Sequence, residues 1–192
     1  MELYLVRHTR VKLDNKVCYG QSDIDLADTF ESEIDDLKKK IAISPQMVFY
    51  SSPLKRCFLL AKKLSQSDPI IDKRLIEISF GDWELKKWDS INKAEFQNWL
   101  DDFIFKKCPN GESYFDLFNR ARDFFKEVVK KEHKKVVIIT HSGVIRSIFS
   151  YILKISLKNS FIIQIDYGGV SKININHSKD IELLINIEYI NK

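Results

Sequence analysis

The chain has 192 residues, 44% hydrophobic and 30% charged, with a formal net charge of +4. That composition excludes a disordered or collagen-like chain, and the length is enough for one domain with a real core. Lys and Asp/Glu are interspersed, so there is no basic stripe to track nucleic acid, and no apolar run is long enough to span a bilayer.

Leu3, Tyr4, Leu5 and Val6 form a short apolar run bounded by polar residues, which reads as a buried strand. It ends at Arg7-His8, and residues 9–27 read as a polar loop. Asp28-Thr29 opens a helix with Glu31, Glu33, Asp35 and Asp36 early and Lys38, Lys39 and Lys40 late, an order that complements the helix dipole. Residues 46–50 read as a second strand. Ser51, Ser52 and Pro53 follow it. Ser is a favoured N-cap and Pro a favoured first helical residue, so a helix is expected there with Lys55 and Arg56 in its first turn.

Residues 69–71 and 75–76 read as short extended pieces, and residues 88–100 as a helix. Residues 113–131 give the clearest helix: Ser113 and Asp116 resemble a capping box, and Phe118, Ala121, Phe125 and Val128 recur at helical spacing. Residues 135–140 hold Val136-Val137-Ile138-Ile139, the third strong strand. Ser142-Gly143 leads into a helix over 144–153. Residues 161–165, 172–176 and 181–187 read as strands, with His177, Ser178, Lys179 and Asp180 as a hairpin turn. Strands alternating with helices predict an α/β fold with antiparallel strands at the C-terminal edge. No repeat, low-complexity tract or linker divides the chain, so a single domain over residues 1–192 is expected.

Three strand ends carry anion chemistry. The first ends in Arg7-His8. The second ends in Ser51-Ser52-Pro53, with Arg56 one turn into the following helix. The third ends in Thr140-His141-Ser142-Gly143. If the strands are parallel and adjacent, their carboxyl ends converge on one crevice, where open α/β sheets bind ligands. Arginines supply fixed charge and a bidentate fork, helix N-termini supply free N–H groups, and a histidine can act as nucleophile or base.

Other chemistries fit less well. Two histidines beside two arginines are a poor cation site, so no metal and no cofactor are expected. No G-x-x-x-x-G-K-[ST] loop is present, and no cysteine has an arginine six residues on. Asp23-Ile24-Asp25 lacks a preceding apolar strand. Cys18, Cys57 and Cys108 are odd in number and far apart, which argues against a disulfide framework or zinc site and for a reducing compartment. With the first strand beginning at once and no basic leader, a cytoplasmic protein is expected. What remains is a histidine nucleophile in an arginine-lined phosphate pocket.

At these residues the chain resembles the histidine phosphatase superfamily, which includes the cofactor-dependent phosphoglycerate mutases. The resemblance rests on five motifs in order. They are Leu5-Val6-Arg7-His8; Ser51-Ser52-Pro53-Leu54-Lys55-Arg56; Glu77 with Phe80-Gly81-Asp82-Trp83-Glu84; Asn110-Gly111-Glu112-Ser113; and Thr140-His141-Ser142-Gly143-Val144-Ile145-Arg146. It implies a three-layer α/β sandwich, a mostly parallel sheet with helices on both faces, and phosphoryl transfer without a metal.

By the same resemblance His8 would carry the phosphoryl group, while Arg7, Arg56 and His141 bind its oxygens. Glu77 would be the proton donor and then the base, Gln21 and Ser142 would contact phosphate or substrate, and Trp83 and Glu112 would border the substrate pocket. Glu84 reads equally as a surface or capping carboxylate, and His133 as a solvated residue. The stretch Cys18-Tyr19-Gly20-Gln21-Ser22-Asp23 and the compact length are most similar to the α-ribazole phosphatases of cobalamin biosynthesis, which implies α-ribazole 5′-phosphate as substrate.

The chain departs from the family at Thr9 and Leu85, where Gly is usual, at Arg10, where Glu is common, and at Asp14-Asn15, where the family's phosphate-contacting Asn is shifted. The insertion at about 80–112 is short, with only residues 85–110 between the Trp-Glu and Gly-Glu-Ser motifs, which favours hydrolysis over mutase activity. Its aromatic residues, Trp88, Phe96, Trp99, Phe103 and Phe105 among them, pack the insertion or line a pocket for a flat leaving group. The expected partner is a small-molecule phosphate ester, with neither nucleic acid nor membrane, and the sequence is compatible with a monomer or a homodimer. A phosphate-binding module without catalysis would lack the nucleophile or the acid, and both are present.

Overall fold

Strand β1 (Glu2–Arg7) buries side chains on both faces: Leu3 and Leu5 enter one hydrophobic cluster, Tyr4 and Val6 another. Strand β4 (Lys135–Thr140) does the same, with Val136 and Ile138 on the first side and Val137 and Ile139 on the second. Side chains alternate along a strand, so an unbroken apolar run must be covered twice. Helices α4 (Tyr114–Val128) and α5 (Ser142–Leu153) cover one face, and α1 (Phe30–Lys40) and α2 (Lys55–Leu64) the other. This computed structural model describes residues 1–176 and 184–192.

The six strands run in the order β3-β2-β4-β1-β5-β6, where β2 is Met47–Ser51, β3 Ile70–Ile71, β5 Val170–Asn176 and β6 Leu184–Tyr189. Pairings of β1 with β4, β4 with β2 and β2 with β3 are parallel; β5 pairs antiparallel with β1 and with β6. The three-layer, mostly parallel architecture with an antiparallel C-terminal edge is therefore present. Helix α4 has the expected capping box, with the Ser113 hydroxyl bound to the Asp116 N–H and the Asp116 carboxylate to the Ser113 N–H.

Several local expectations change. Residues 161–165 are not a strand: Asn159–Ile162 form a 3-10 turn, because Phe161 packs on Phe103 and Tyr114 rather than joining a ladder. Residues 88–100 divide into a 3-10 turn at Trp88–Ser90 and helix α3 (Lys93–Leu100), which the Asn92 side chain caps. Lys73–Leu75 also form a 3-10 turn, capped by Asp72, so Leu75 is not extended. Helix α2 begins after Pro53, with Leu54 as its N-cap and no side-chain cap bond from Leu54; of the backbone N–H groups there, the Ser52 hydroxyl reaches only that of Leu54, at 3.4 Å. The expected turn at residues 177–180, with His177, and the start of the last strand at 181–183 lie outside the described residues.

The insertion has its own small core. Trp83, Ile91, Cys18 and Cys108 are buried together, and Phe80, Trp88, Phe96 and Trp99 pack around them. Among the described residues, no helix is long and apolar enough to cross a membrane.

Candidate active site

Sheet register assembles the site. Arg7 pairs with Thr140 and Ser51 with Ile139, so the next residues, His8, His141 and Ser52, leave the sheet side by side. The ladder continues into them: the His8 N–H donates to the Thr140 carbonyl at 3.0 Å, and the Ser52 N–H to that of Ile139 at 3.0 Å. The two imidazoles meet edge to face with centroids 5.1 Å apart. His141 is the N-cap residue of α5 and its Nε2 lies 2.9 Å from the Ser52 hydroxyl, which also accepts from the Leu54 N–H at 3.4 Å.

The His8 Nδ1 lies 2.7 Å from the Thr9 carbonyl, an oxygen that can only accept, so Nδ1 carries the proton and Nε2 keeps its lone pair. Burial, then the Arg56 and Arg7 charges, hold the His8 pKa well below its ordinary value. His141 is shifted the same way by burial and then by Arg56. Both rings are neutral at neutral pH, as a nucleophile and its hydrogen-bonding neighbour require.

The arginines are anchored at their tips. Arg7 donates to the Ile165 carbonyl at 2.7 Å, and Arg56 to the Gly20 and Ser22 carbonyls at 2.5 and 2.9 Å. The Nε–H groups of both are buried without a partner among the described residues. Two buried, unpartnered guanidinium donors beside a helix N-terminus form an anion site. Tyr167 lies against Arg7, 3.7 Å from ring centroid to guanidinium carbon, and Tyr19 faces Arg56 at 5.2 Å. The two phenol oxygens are 2.7 Å apart, so one hydrogen bond ties both aromatic supports together.

Glu77 reaches the same place from the segment after β3. Its carboxylate accepts from the Gly143 N–H and the Ile78 N–H, each at 3.0 Å. Gly143 allows this approach: a Cβ there would stand 2.3 Å from Glu77 Oε1. Arg120 of α4 clamps the Glu77 segment, donating to the Arg74, Ile76 and Glu77 carbonyls and to both oxygens of Glu112. Gln21 donates to the Glu77 carbonyl at 3.0 Å and to Glu112 at 3.4 Å, so it supports the segment from the other side. Glu84 is a loop clamp. Burial alone would raise its pKa, but the N–H groups of Gly20, Gln21 and Phe80 and the Ser22 hydroxyl outweigh it and lower the value.

These groups open onto a cavity of about 660 Å³. Arg7, His8, Arg56, Glu77, His141 and Ser142 form its polar floor, and Tyr19, Phe80, Trp88, Trp99, Phe103 and Phe161 much of its wall. Asn15, rather than Asp14, lines it. Trp83, Glu112 and Gln21 do not. Trp83 is sealed in the insertion core against Trp99 and Phe96, and Glu112 is held by Arg120, so the substrate-border expectation for these two is corrected. His133 is half-buried against Tyr50 rather than solvated, its Nε2 3.3 Å from the phenol. Among the described residues, no group of three His, Cys, Asp or Glu side chains is arranged to hold a metal ion.

Sequence reasoning missed Tyr167 and Arg120, and gave no role to Tyr19 and Arg146, which it had only as members of motifs. Arg120 had a signal: it falls in helical phase with Leu117 and Phe124, where a charge on an apolar stripe needs a buried partner. Tyr167 had none, since it sits in an irregular loop.

Residues 3–188 match the histidine phosphatase superfamily (branch 1). The putative phosphoserine phosphatase 2 of Hydrogenobacter thermophilus is 28% identical over 191 residues, 96% of this chain and 94% of that protein. The adenosylcobalamin/alpha-ribazole phosphatase of Escherichia coli is 24% identical over 53% of this chain and 52% of its own. The alpha-ribazole phosphatase from Shigella flexneri superposes with a TM-score of 0.87 at 21% identity, covering 100% of this chain and 96% of that one. With fold, strand-end constellation and full-length match in agreement, the chain belongs to branch 1 of the histidine phosphatase superfamily and is a phosphatase of that group.

Proposed function

We propose that the chain hydrolyses a small organic phosphate monoester in two phosphoryl transfers through His8. The observation that carries this reading is the fixed tautomer of His8, which leaves its Nε2 free in a cavity lined by two arginines whose Nε donors are unpartnered among the described residues. In the first transfer Nε2 attacks phosphorus, the bond from phosphorus to the ester oxygen breaks, and Glu77 gives that oxygen a proton. In the second, water attacks the phosphohistidine, Glu77 takes the proton, and His8 leaves with inorganic phosphate released. Arg7, Arg56, His141 and the N-terminus of α5 at Ser142 stabilise the equatorial oxygens, where charge resides in the transition state.

The apolar wall supports a leaving group with a flat or hydrophobic part, and α-ribazole 5′-phosphate is a candidate of that shape. The phosphoserine phosphatases of Hydrogenobacter thermophilus, similar along almost the whole chain, support a smaller ester. The short insertion favours water over a retained intermediate, hence hydrolysis over mutase chemistry. The test is a radiolabelled phosphate ester quenched in alkaline detergent, together with a panel of α-ribazole 5′-phosphate, phosphoserine, phosphoglycerates and p-nitrophenyl phosphate. Label on the wild type and none on His8→Ala is expected. Phosphate binding with no label and no turnover would point to a binding module, and efficient conversion of 3- to 2-phosphoglycerate to a mutase.

A further inference from the structure

We infer that Arg146 and Lys158 form an anion subsite on the cavity wall, so that the preferred ester carries a carboxylate on its leaving group. This rests on the hydrolase reading and narrows it. Both cations line the cavity that holds His8. Arg146 stands on α5 four residues beyond Ser142 and three beyond Gly143, on the helix face whose first turn borders the phosphoryl site. One helical turn is about 5.4 Å, which sets the scale of separation between the two anion sites.

The Arg146 head is held from behind. Its Nε donates to the Ile163 carbonyl at 3.0 Å, and its guanidinium carbon lies 5.4 Å from the Phe161 ring centroid. That leaves the terminal nitrogens as a fork. Lys158 immediately precedes the turn Asn159–Ile162 that carries Phe161, and it lines the same cavity as Arg146. The ion pairs among the described residues include neither of them, whereas Arg120 of the adjoining α4 is held by Glu112. The floor already has two arginines and a helix N-terminus for the phosphoryl group, so this second pair serves another part of the ligand. A guanidinium fork beside one ammonium matches the two oxygens and single charge of a carboxylate, and an apolar wall strengthens the attraction.

The test compares two esters that differ only there: 3-phosphoglycerate, and glycerol 3-phosphate with a hydroxymethyl group in place of the carboxylate. A charge-assisted bond lost at this site predicts a wild-type preference in kcat/KM of about tenfold or more for the acid. Arg146→Gln should bring that ratio close to one, mainly through KM for the acid, and the exposed Lys158→Gln should lower it less. The ratio is read rather than the absolute rate, so a general loss of activity does not imitate the effect. A wild-type ratio near one, or a ratio unchanged in both variants, overturns the subsite while hydrolysis of p-nitrophenyl phosphate leaves the hydrolase reading intact. No turnover of any ester by the wild type, and no phosphoenzyme, defeats both. α-Ribazole 5′-phosphate, with its neutral leaving group, is expected to be the poorer substrate beside a phosphorylated acid of similar size.

Discussion

On the cavity floor His8, His141 and Glu77 are each held by directional bonds to neighbours that the sheet or a helix end already fixes. On the wall Trp88, Trp99, Phe103 and Phe161 are held by ring contacts, with centroids 4.9 to 6.5 Å apart, and Trp99 Nε1 is buried with no partner among the described residues. Directional bonds tolerate little displacement, whereas stacked and edge-on rings can be exchanged at modest cost. The floor is thus suited to one reaction, and the wall to whichever ester the reaction is given.

The largest expected effect is His8→Ala, which should lower turnover by at least about a thousandfold and abolish the phosphoenzyme, since it removes the attacking nitrogen. Turnover of p-nitrophenyl phosphate and the alkaline trap measure it. If activity survived, the floor would not be the reactive half.

Gly143→Ala sharpens the same point by one methyl group. The added carbon would stand 2.3 Å from Glu77 Oε1 and displace the carboxylate. A loss in kcat of about a hundredfold is expected, the scale of misplaced acid–base catalysis. Inhibition by vanadate should change little, because the phosphoryl cradle is left in place. Unaltered kcat would remove Glu77 from the proton transfers.

A third consequence is in pH. His8 and His141 have folded-state pKa values held below the ordinary 6.5 by burial and by Arg56, so the unfolded chain takes up protons first as pH falls. Their neutral burial therefore costs nothing above about pH 6.5. Below it stability falls, by up to about 1.4 kcal/mol per pH unit for each histidine. Denaturant melts between pH 7 and 5 measure the slope, and His141→Asn should reduce it. A flat profile would mean that the floor is open to water.

The smallest effect belongs to the wall. Trp99→Leu should raise KM for bulky esters about tenfold, the worth of one ring contact with some burial, and leave kcat for p-nitrophenyl phosphate within about twofold. Steady-state kinetics on both esters check it, and an equal fall in kcat for both would show that the wall also positions the floor.

Much of the floor was legible in the sequence, because strand ends are local signals. Arg7-His8 and Thr140-His141 directly follow apolar runs, and Arg56 lies one turn beyond a third. Glu77 has no such mark and was found only through resemblance. Ser52 carried a true signal, a hydroxyl before a helix, that the fold uses differently: it meets His141 across the sheet instead of capping α2. The apolar residues 161–165 were misread because alternation shows that side chains are to be buried, not whether a strand partner or a set of rings will bury them.

By itself, the sequence determined that three strands would be covered on both faces and that each would end in groups fit for an anion. Apolar periodicity and strand-end chemistry are properties of contiguous residues. Only the tertiary structure decided that Arg7 pairs with Thr140, that Tyr19 bonds Tyr167 across 148 positions, that Arg120 clamps Glu77, and that Arg146 faces the cavity. Those contacts join loops distant along the chain, and their geometry is set by sheet register and packing, which no short window of residues contains.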